Sequence, residues 1–330
     1  MRGALFFAAA ATCLTLSLSA AAAATTPVPQ IWFNMTNYKS QPGVDGAQGW
    51  NRMFGDPHAP LPDFMDHVDV LAAAGVAQIP DELLTNAFIK LKQKHVPFAI
   101  ESLAQSWVHE PGCGHGVESY YDPPGARKVA EKIKAAGGEV AYIAMDEPLF
   151  FGRYYDGPNA CHSSIENVVE RAVAIMREYK KVFPQVVIGD IEPIPAIAAQ
   201  PGWQGEYQKW RTEFAQAMGQ PLAFLHIDVS WGRPDWSAKL KDTVAFCRNQ
   251  KLPFGIIYNG NVHGDPTATN EKWLNSAVQN FQQIENRMGI VPEQVIFHSW
   301  AKFPPHSISD SSGLGEDYLV RQYVKSRPNR

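Results

Sequence analysis

Several short apolar runs in this chain close on residues able to do acid–base chemistry. Ala141-Tyr-Ile-Ala-Met-Asp146-Glu147-Pro148 and Val187-Ile-Gly-Asp190-Ile-Glu192-Pro193 both finish in Glu-Pro. Leu225-His226-Ile-Asp228-Val-Ser230-Trp231 carries an imidazole and a carboxylate two residues apart, and an earlier run ends at Glu101-Ser102 with Trp107 shortly after. An ionised carboxylate buried in an apolar run costs roughly several kcal/mol unless it is paired, metal-bound or beside a wet cavity. Acids in unequal surroundings can divide the work of catalysis, one staying neutral as a proton donor while another stays ionised as nucleophile or base. Asp146 and Asp190 have a second reading, as acceptors of loop N–H groups. For Glu147 and Glu192 the repeated Glu-Pro ending is harder to obtain from packing alone.

Side chains alternate along a strand, so Asp190 and Glu192 share one face, as do His226 and Asp228. If that face is the mouth of a barrel, several acids converge there. Two further runs bring aromatic and amide groups, Ile257-Tyr258-Asn259-Gly260 and Phe297-His298-Ser299-Trp300. Aromatic rings beside carboxylates suit a sugar, whose apolar faces stack while its hydroxyls take hydrogen bonds. Trp231, Tyr258 and Trp300 read either as such platforms or as core aromatics. With Asn34, Glu101, Trp107, His226 and Asn259 they form the expected binding set. Asn34-Met35-Thr36 also matches a glycosylation sequon, against which stands a role for Asn34 as a hydrogen-bonding residue of the cleft.

These residues need elements to position them. β-rich runs are expected at residues 30–35, 67–72, 97–102, 140–146, 186–191, 222–229, 254–258 and 294–299. Helical spacing falls between them at 81–94, 125–136, 164–182, 206–218, 236–250, 270–288 and 315–324. The third of these is clearest, since Ile165, Val168, Val169, Ala172, Ile175, Met176 and Tyr179 trace one face behind a Ser-Ser-Ile-Glu capping box. Eight such units close naturally into a (β/α)8 TIM barrel, a single α/β domain over residues 25–330. The run from Val70 could itself be helical, and residues 37–62 show little periodicity. An open doubly wound sheet ranks below the barrel, because no G-x-G-x-x-G or P-loop pattern appears. Nothing calls for a nucleotide or other cofactor.

The Met145-Asp146-Glu147-Pro148 segment resembles the Asn-Glu-Pro ending of the fourth strand in the large retaining clan of (β/α)8 glycoside hydrolases, where that Glu is the general acid/base. Trp300 after the eighth strand is similar to a sugar-platform tryptophan of those enzymes. The resemblance implies a barrel acting on a poly- or oligosaccharide, with Glu147 as proton donor. Asp146 departs from the pattern, and Tyr258-Asn259-Gly260 stands where the nucleophilic Glu belongs. The partner of Glu147 then has to come from Asp190, Glu192, Asp228 or Glu101, as in barrel glycosidases that pair the fourth strand with the fifth or sixth. A carboxyl separation of about 5 Å implies retention, and about 6.5–9.5 Å inversion.

Two rival readings remain. One makes Glu147, Glu192, His226 and Asp228 ligands of Mg²⁺ or Mn²⁺ in a sugar isomerase or phosphoesterase. The other is a barrel that binds carbohydrate without turning it over. No His-x-His on the first strand favours a zinc site, so no metal is assigned, and His109, His115 and His162 read as loop histidines.

The chain has 330 residues with 45% hydrophobic and 19% charged, enough apolar material for a large core. With 29 basic against 33 acidic residues, nothing draws it to nucleic acid. Arg2, the apolar stretch 5–18 and the small residues from Ser19 to Ala24 form an expected signal peptide, residues 1–24, which implies a secreted or periplasmic protein. No later stretch reaches the about 18 apolar residues of a membrane span. A monomer is expected, with a Cys113–Cys161 disulfide and Cys247 buried as a free thiol.

Overall fold

The computed structural model describes residues 28–40, 42–107, 112–262 and 264–327. The expected signal peptide and His109 lie outside them. Eight strands form one closed, all-parallel barrel: β1 (Gln30–Met35), β2 (Val70–Ala73), β3 (Phe98–Leu103), β4 (Val140–Asp146), β5 (Val187–Ile194), β6 (Leu225–Val229), β7 (Phe254–Tyr258) and β8 (Gln294–Phe297). Each pairs with its neighbours in sequence, and β8 closes on β1. The fold is therefore the expected (β/α)8 barrel. The run from Val70 is a strand.

Around it lie α1 (Gly46–Phe54), α2 (Asp81–Lys94), α3 (Pro123–Ala135), α4 (Ile165–Val182), α5 (Trp203–Met218), α6 (Trp236–Asn249), α7 (Asn270–Phe281) and α8 (Asp317–Lys325). In α4 the Ser164 hydroxyl accepts from the Asn167 N–H at 3.3 Å, and the predicted apolar stripe is buried. Helix α1 falls in the stretch with little periodicity. Asp45 caps it, accepting from the Gln48 N–H at 3.0 Å, and it buries Trp50, Met53 and Phe54. Its two glycines disguise it as loop sequence.

The outward strand residues pack under the helices, including Ile31, Phe33 and Met35 on β1 and Leu225, Ile227 and Val229 on β6. The inward residues of the lower barrel make a separate aromatic plug. Trp32 meets Tyr142, Phe224 and His226 with ring centroids 5.1, 5.5 and 4.8 Å away, and His226 stacks on Phe224 at 4.5 Å. Two glycines admit these rings: a Cβ on Gly189 would fall 2.2 Å from Phe224, and one on Gly255 would fall 2.7 Å from His226. The plug's polar atoms are paired, Trp32 Nε1 donating to Gln30 at 2.9 Å and His226 Nε2 meeting Gln294 at 2.8 Å. The floor is closed, so any chemistry belongs to the open upper half.

The Cys113–Cys161 disulfide is formed and Cys247 is a buried free thiol. Among the described residues no helix is long and apolar enough to cross a membrane.

Candidate active site

Above the plug, at the C-terminal ends of the strands, lies a cavity of about 680 Å³. Side chains alternate, so on β4 Tyr142 enters the plug and Asp146, four residues on, reaches the cavity. By the same rule β6 puts His226 in the floor and Asp228 in the cavity, and β3 delivers Glu101. Glu147 arrives differently. Its backbone is left-handed, with φ 46°, a conformation disfavoured for a residue with a Cβ. Its N–H donates to Ile191 O at 3.1 Å and its C=O accepts from the Phe151 N–H at 3.0 Å, so the chain turns sharply from β4 into a helical turn at Phe150–Tyr154. That turn brings its carboxyl into the cavity beside Asp146 and Asp228.

Glu147 and Asp228 line the same cavity and act directly on each other's carboxyls. Burial, then the charges of Asp228, Asp146, Glu192 and Glu118, holds the Glu147 carboxyl well above the usual range. Burial lifts Asp228 to about 7, opposed by the hydrogen bond from Glu147. Burial also lifts Glu101 to about 7, opposed by the Asn34 amide, which donates to Glu101 Oε2 at 2.7 Å. Asp146 is raised too, by burial and then by Glu101. The four line one cavity and repel one another, so they cannot all be ionised at neutral pH. A neutral Glu147 beside an ionised Asp228 is the distribution that these opposed surroundings favour.

Of the expected binding residues, Trp300 lines the cavity with more than half its surface exposed, at 54%. Asn34 is buried at 2% beneath the cavity, its amide also lying 3.2 Å from His298 Nδ1. There it orients Glu101 and is closed to a glycan. Trp107 donates from Nε1 to Gly114 O at 2.9 Å and lies against His115, outside the lining. Trp231 donates to the Asn259 side chain and packs on Trp236, so this pair stands beside the cavity as mutual support.

Three expectations about side-chain direction, and one about depth, are corrected. Asp190 faces outward and accepts from Tyr207 OH at 3.1 Å and Trp210 Nε1 at 2.9 Å, both on α5. Glu192 also faces outward, its two oxygens accepting from the Leu149 and Phe150 N–H groups at 2.8 and 3.1 Å. The β5–β6 register explains both, because Asp190 and Glu192 sit level with Leu225 and Ile227, which point to the helices. Tyr258 is outward as well, donating to Glu285 at 2.8 Å. His226 is held in the floor, and burial drives its imidazole down to about 3, so it stays neutral. The ligand set proposed for Mg²⁺ or Mn²⁺ is thus not assembled, Glu192 and His226 lying apart from Glu147 and Asp228. Among the described residues no group of three or more His, Cys, Asp and Glu side chains is arranged to hold a metal ion.

Among the cavity residues outside the expected set are the titratable Glu118, His298 and Lys39. His298 continues the inward face of β8 two residues after Ile296, so alternation could have found it. Glu118 and Lys39 stand on loops, where no periodicity signals direction.

No family model matches the chain, and no curated protein matches it in sequence. Solved structures do. A Streptomyces cattleya protein described as GH5_18, in complex with GlcNAc, matches over 92% of this chain and 81% of its own at 8% identity, with a TM-score of 0.52. A second structure of it, with Manβ1-4GlcNAc, matches at 9% identity, the same coverage of 92% and 81%, and a TM-score of 0.53. The virulence factor SghA from Agrobacterium tumefaciens matches over 91% of this chain and 96% of its own at 10% identity, with a TM-score of 0.50. The structural matches include glycoside hydrolases of the GH5 and GH53 groups. At such identity the likeness is one of fold.

Proposed function

We propose that the chain is a secreted glycoside hydrolase acting on a poly- or oligosaccharide, with Glu147 as general acid/base and Asp228 as nucleophile. The observation that carries this is the meeting of Glu147 and Asp228 in the lining of one open cavity with an exposed tryptophan at its edge. Neutral Glu147 would protonate the glycosidic oxygen as the Asp228 carboxylate attacks the anomeric carbon and the bond to the leaving sugar breaks. Glu147, now ionised, would take a proton from water, which attacks the same carbon and releases Asp228. Direct attack by Asp228 dispenses with the interposed water that an inverting enzyme places across about 6.5–9.5 Å, so net retention is expected. Glu101 and Asp146 would accept hydrogen bonds from sugar hydroxyls and Trp300 would stack on a ring face. Glu192 is a positioning residue, gripping the two N–H groups that follow the Glu147 turn.

The signal-like residues 1–24 and the disulfide, a bond of oxidising compartments, support export. The test is a panel of polysaccharides given to the mature protein, with product anomers followed by NMR. Hydrolysis with retained configuration is expected. Glycan binding without turnover over long incubation would contradict the enzymatic reading, and inverted product would remove Asp228 as nucleophile.

A further inference from the structure

The segment between β3 and α3 carries one cavity acid that the scheme above leaves without a task. Its ends are drawn together by a short parallel pair, Gln105–Ser106 with Tyr120–Tyr121, and the Ala104 and Gln105 N–H groups both donate to Ser119 O, at 2.8 and 2.7 Å. Its middle is tied to the segment that follows Glu147. Gly114 N donates to Asn159 O at 2.7 Å, Asn159 Nδ2 donates to His115 O at 2.8 Å, and the Cys113–Cys161 disulfide lies beside them. Val117, Tyr120 and Phe151 form a small apolar cluster between the two segments, and Ser119 donates from its hydroxyl to Asp146 O. Val117 and Ser119 are buried, whereas Glu118 between them is exposed and faces the cavity.

Glu118 is thus a carboxylate on a rigid mount. Among the described residues no hydrogen bond or ion pair holds it, although the backbone on either side is anchored. It joins Glu101, Asp146, Glu147 and Asp228 in a lining whose described Lys and Arg content is Lys39 alone. An unpartnered acceptor at the edge of a binding cavity has its energy realised when a ligand donates to it, and here the backbone part of its ordering cost is already met by the fold.

We propose that Glu118 is a specificity-determining residue, presented by this stapled segment to accept hydrogen bonds from the hydroxyls of the bound sugar and to turn away sugars that carry a carboxylate. The inference rests on the glycoside hydrolase reading and deepens it to a substrate class, neutral rather than uronate-bearing glycans. An incoming uronate would bring a further carboxylate to a lining of five acids, the ionised ones among them repelling it, with one lysine nearby, a repulsive element of the kind that specificity uses. Glu118 also acts on the other acids through space, its charge raising each of Glu101, Asp146, Glu147 and Asp228.

The experiment compares the mature wild type with Glu118→Gln and Glu118→Ala on a neutral oligosaccharide and on its uronate-bearing counterpart. With the neutral substrate KM should rise about 10-fold while kcat stays within about threefold, as expected for a lost charged acceptor. The rate ratio of uronate to neutral substrate should rise about 10-fold, and the acid limb of kcat/KM should move to lower pH as Asp228 loses a repelling neighbour. Unchanged KM, ratio and pH limb in variants with wild-type circular dichroism would overturn the proposal while leaving the hydrolase reading intact. A wild type that binds the neutral glycan without cleaving it would sink that reading alone, and the variants' affinity then decides this one: about 10-fold weaker supports it, equal overturns it. A wild type that neither binds nor cleaves either glycan removes both.

Discussion

Strands β5 and β6 lie side by side, each bearing two polar residues two positions apart, and they deliver them to opposite sides of the barrel wall. On β5, Asp190 and Glu192 turn outward, Asp190 Oδ2 accepting from Tyr207 and Trp210 and Glu192 from two backbone N–H groups. On β6, His226 and Asp228 turn inward, one into the aromatic floor and the other into the cavity. The alternation is the same; its phase differs. Phase is decided by bulk: the inward face of β5 must include Gly189, because Phe224 from the start of β6 occupies the space its Cβ would need. An acid one residue from that glycine is therefore outside. Outward acids hold structure together, and inward ones reach the cavity, where chemistry can be done.

The largest effect separating the two groups should come from Glu147→Gln, which removes the proton donor and leaves the shape. Hydrolysis of an unactivated glycan should fall about 10³-fold, with a smaller loss on aryl glycosides whose leaving group needs no proton. Equal losses on both substrates would argue against the acid role. On the β5 side, Gly189→Ala drives a methyl into the Phe224 ring and should cost about 3 kcal/mol in urea denaturation, with Phe224→Ala in the same chain relieving part of it. A wild-type midpoint would show that Phe224 does not set the phase of β5. Asp190→Ala leaves the Tyr207 and Trp210 donors unpaired and should cost about 2 kcal/mol while kcat of the folded protein holds. A loss of kcat without loss of stability would move Asp190 into the mechanism.

The smallest effect is a divergence with pH. Glu101 and Asp228 have folded-state values near 7, above those of an unfolded chain, so the native state binds more protons across that interval. Their contribution to stability is complete below about pH 4 and is lost as pH rises through about 7. Melting temperature should accordingly drop on the order of 5 °C between pH 5 and pH 8, a trend that Glu101→Gln reduces. Activity runs the other way, since the nucleophile must be ionised, so kcat/KM should climb from pH 5 toward 7. Parallel trends would contradict the assigned ionisation states.

The barrel was legible because its signal is repeated: eight apolar runs with helical spacing between them. So was the disulfide, whose cysteines both stand in loop-like sequence while Cys247 keeps helical spacing after Leu240 and Val244. Helix α1 was hidden by glycines whose purpose is close approach, since a Cβ on Gly49 would fall 3.2 Å from Ser307. At the site, Glu147 and Asp228 were visible as acids at strand ends. The strand facing of Asp190, Glu192 and Tyr258 was not, because period two says which residues share a face and leaves the choice of face to neighbours that meet only in three dimensions. Glu118 was invisible for a different reason: its direction is fixed by a disulfide, an apolar cluster and backbone hydrogen bonds contributed by another segment.

The account turns on whether β6 or β5 supplies the partner of Glu147, and side-by-side rates of Asp228→Asn and Glu192→Gln on one glycan test this most directly. Asp228→Asn should lose activity at least about 10³-fold while remaining folded, and Glu192→Gln should stay within about 10-fold of wild type, its loss following stability. A nearly inactive, fully folded Glu192→Gln beside an active Asp228→Asn would contradict it.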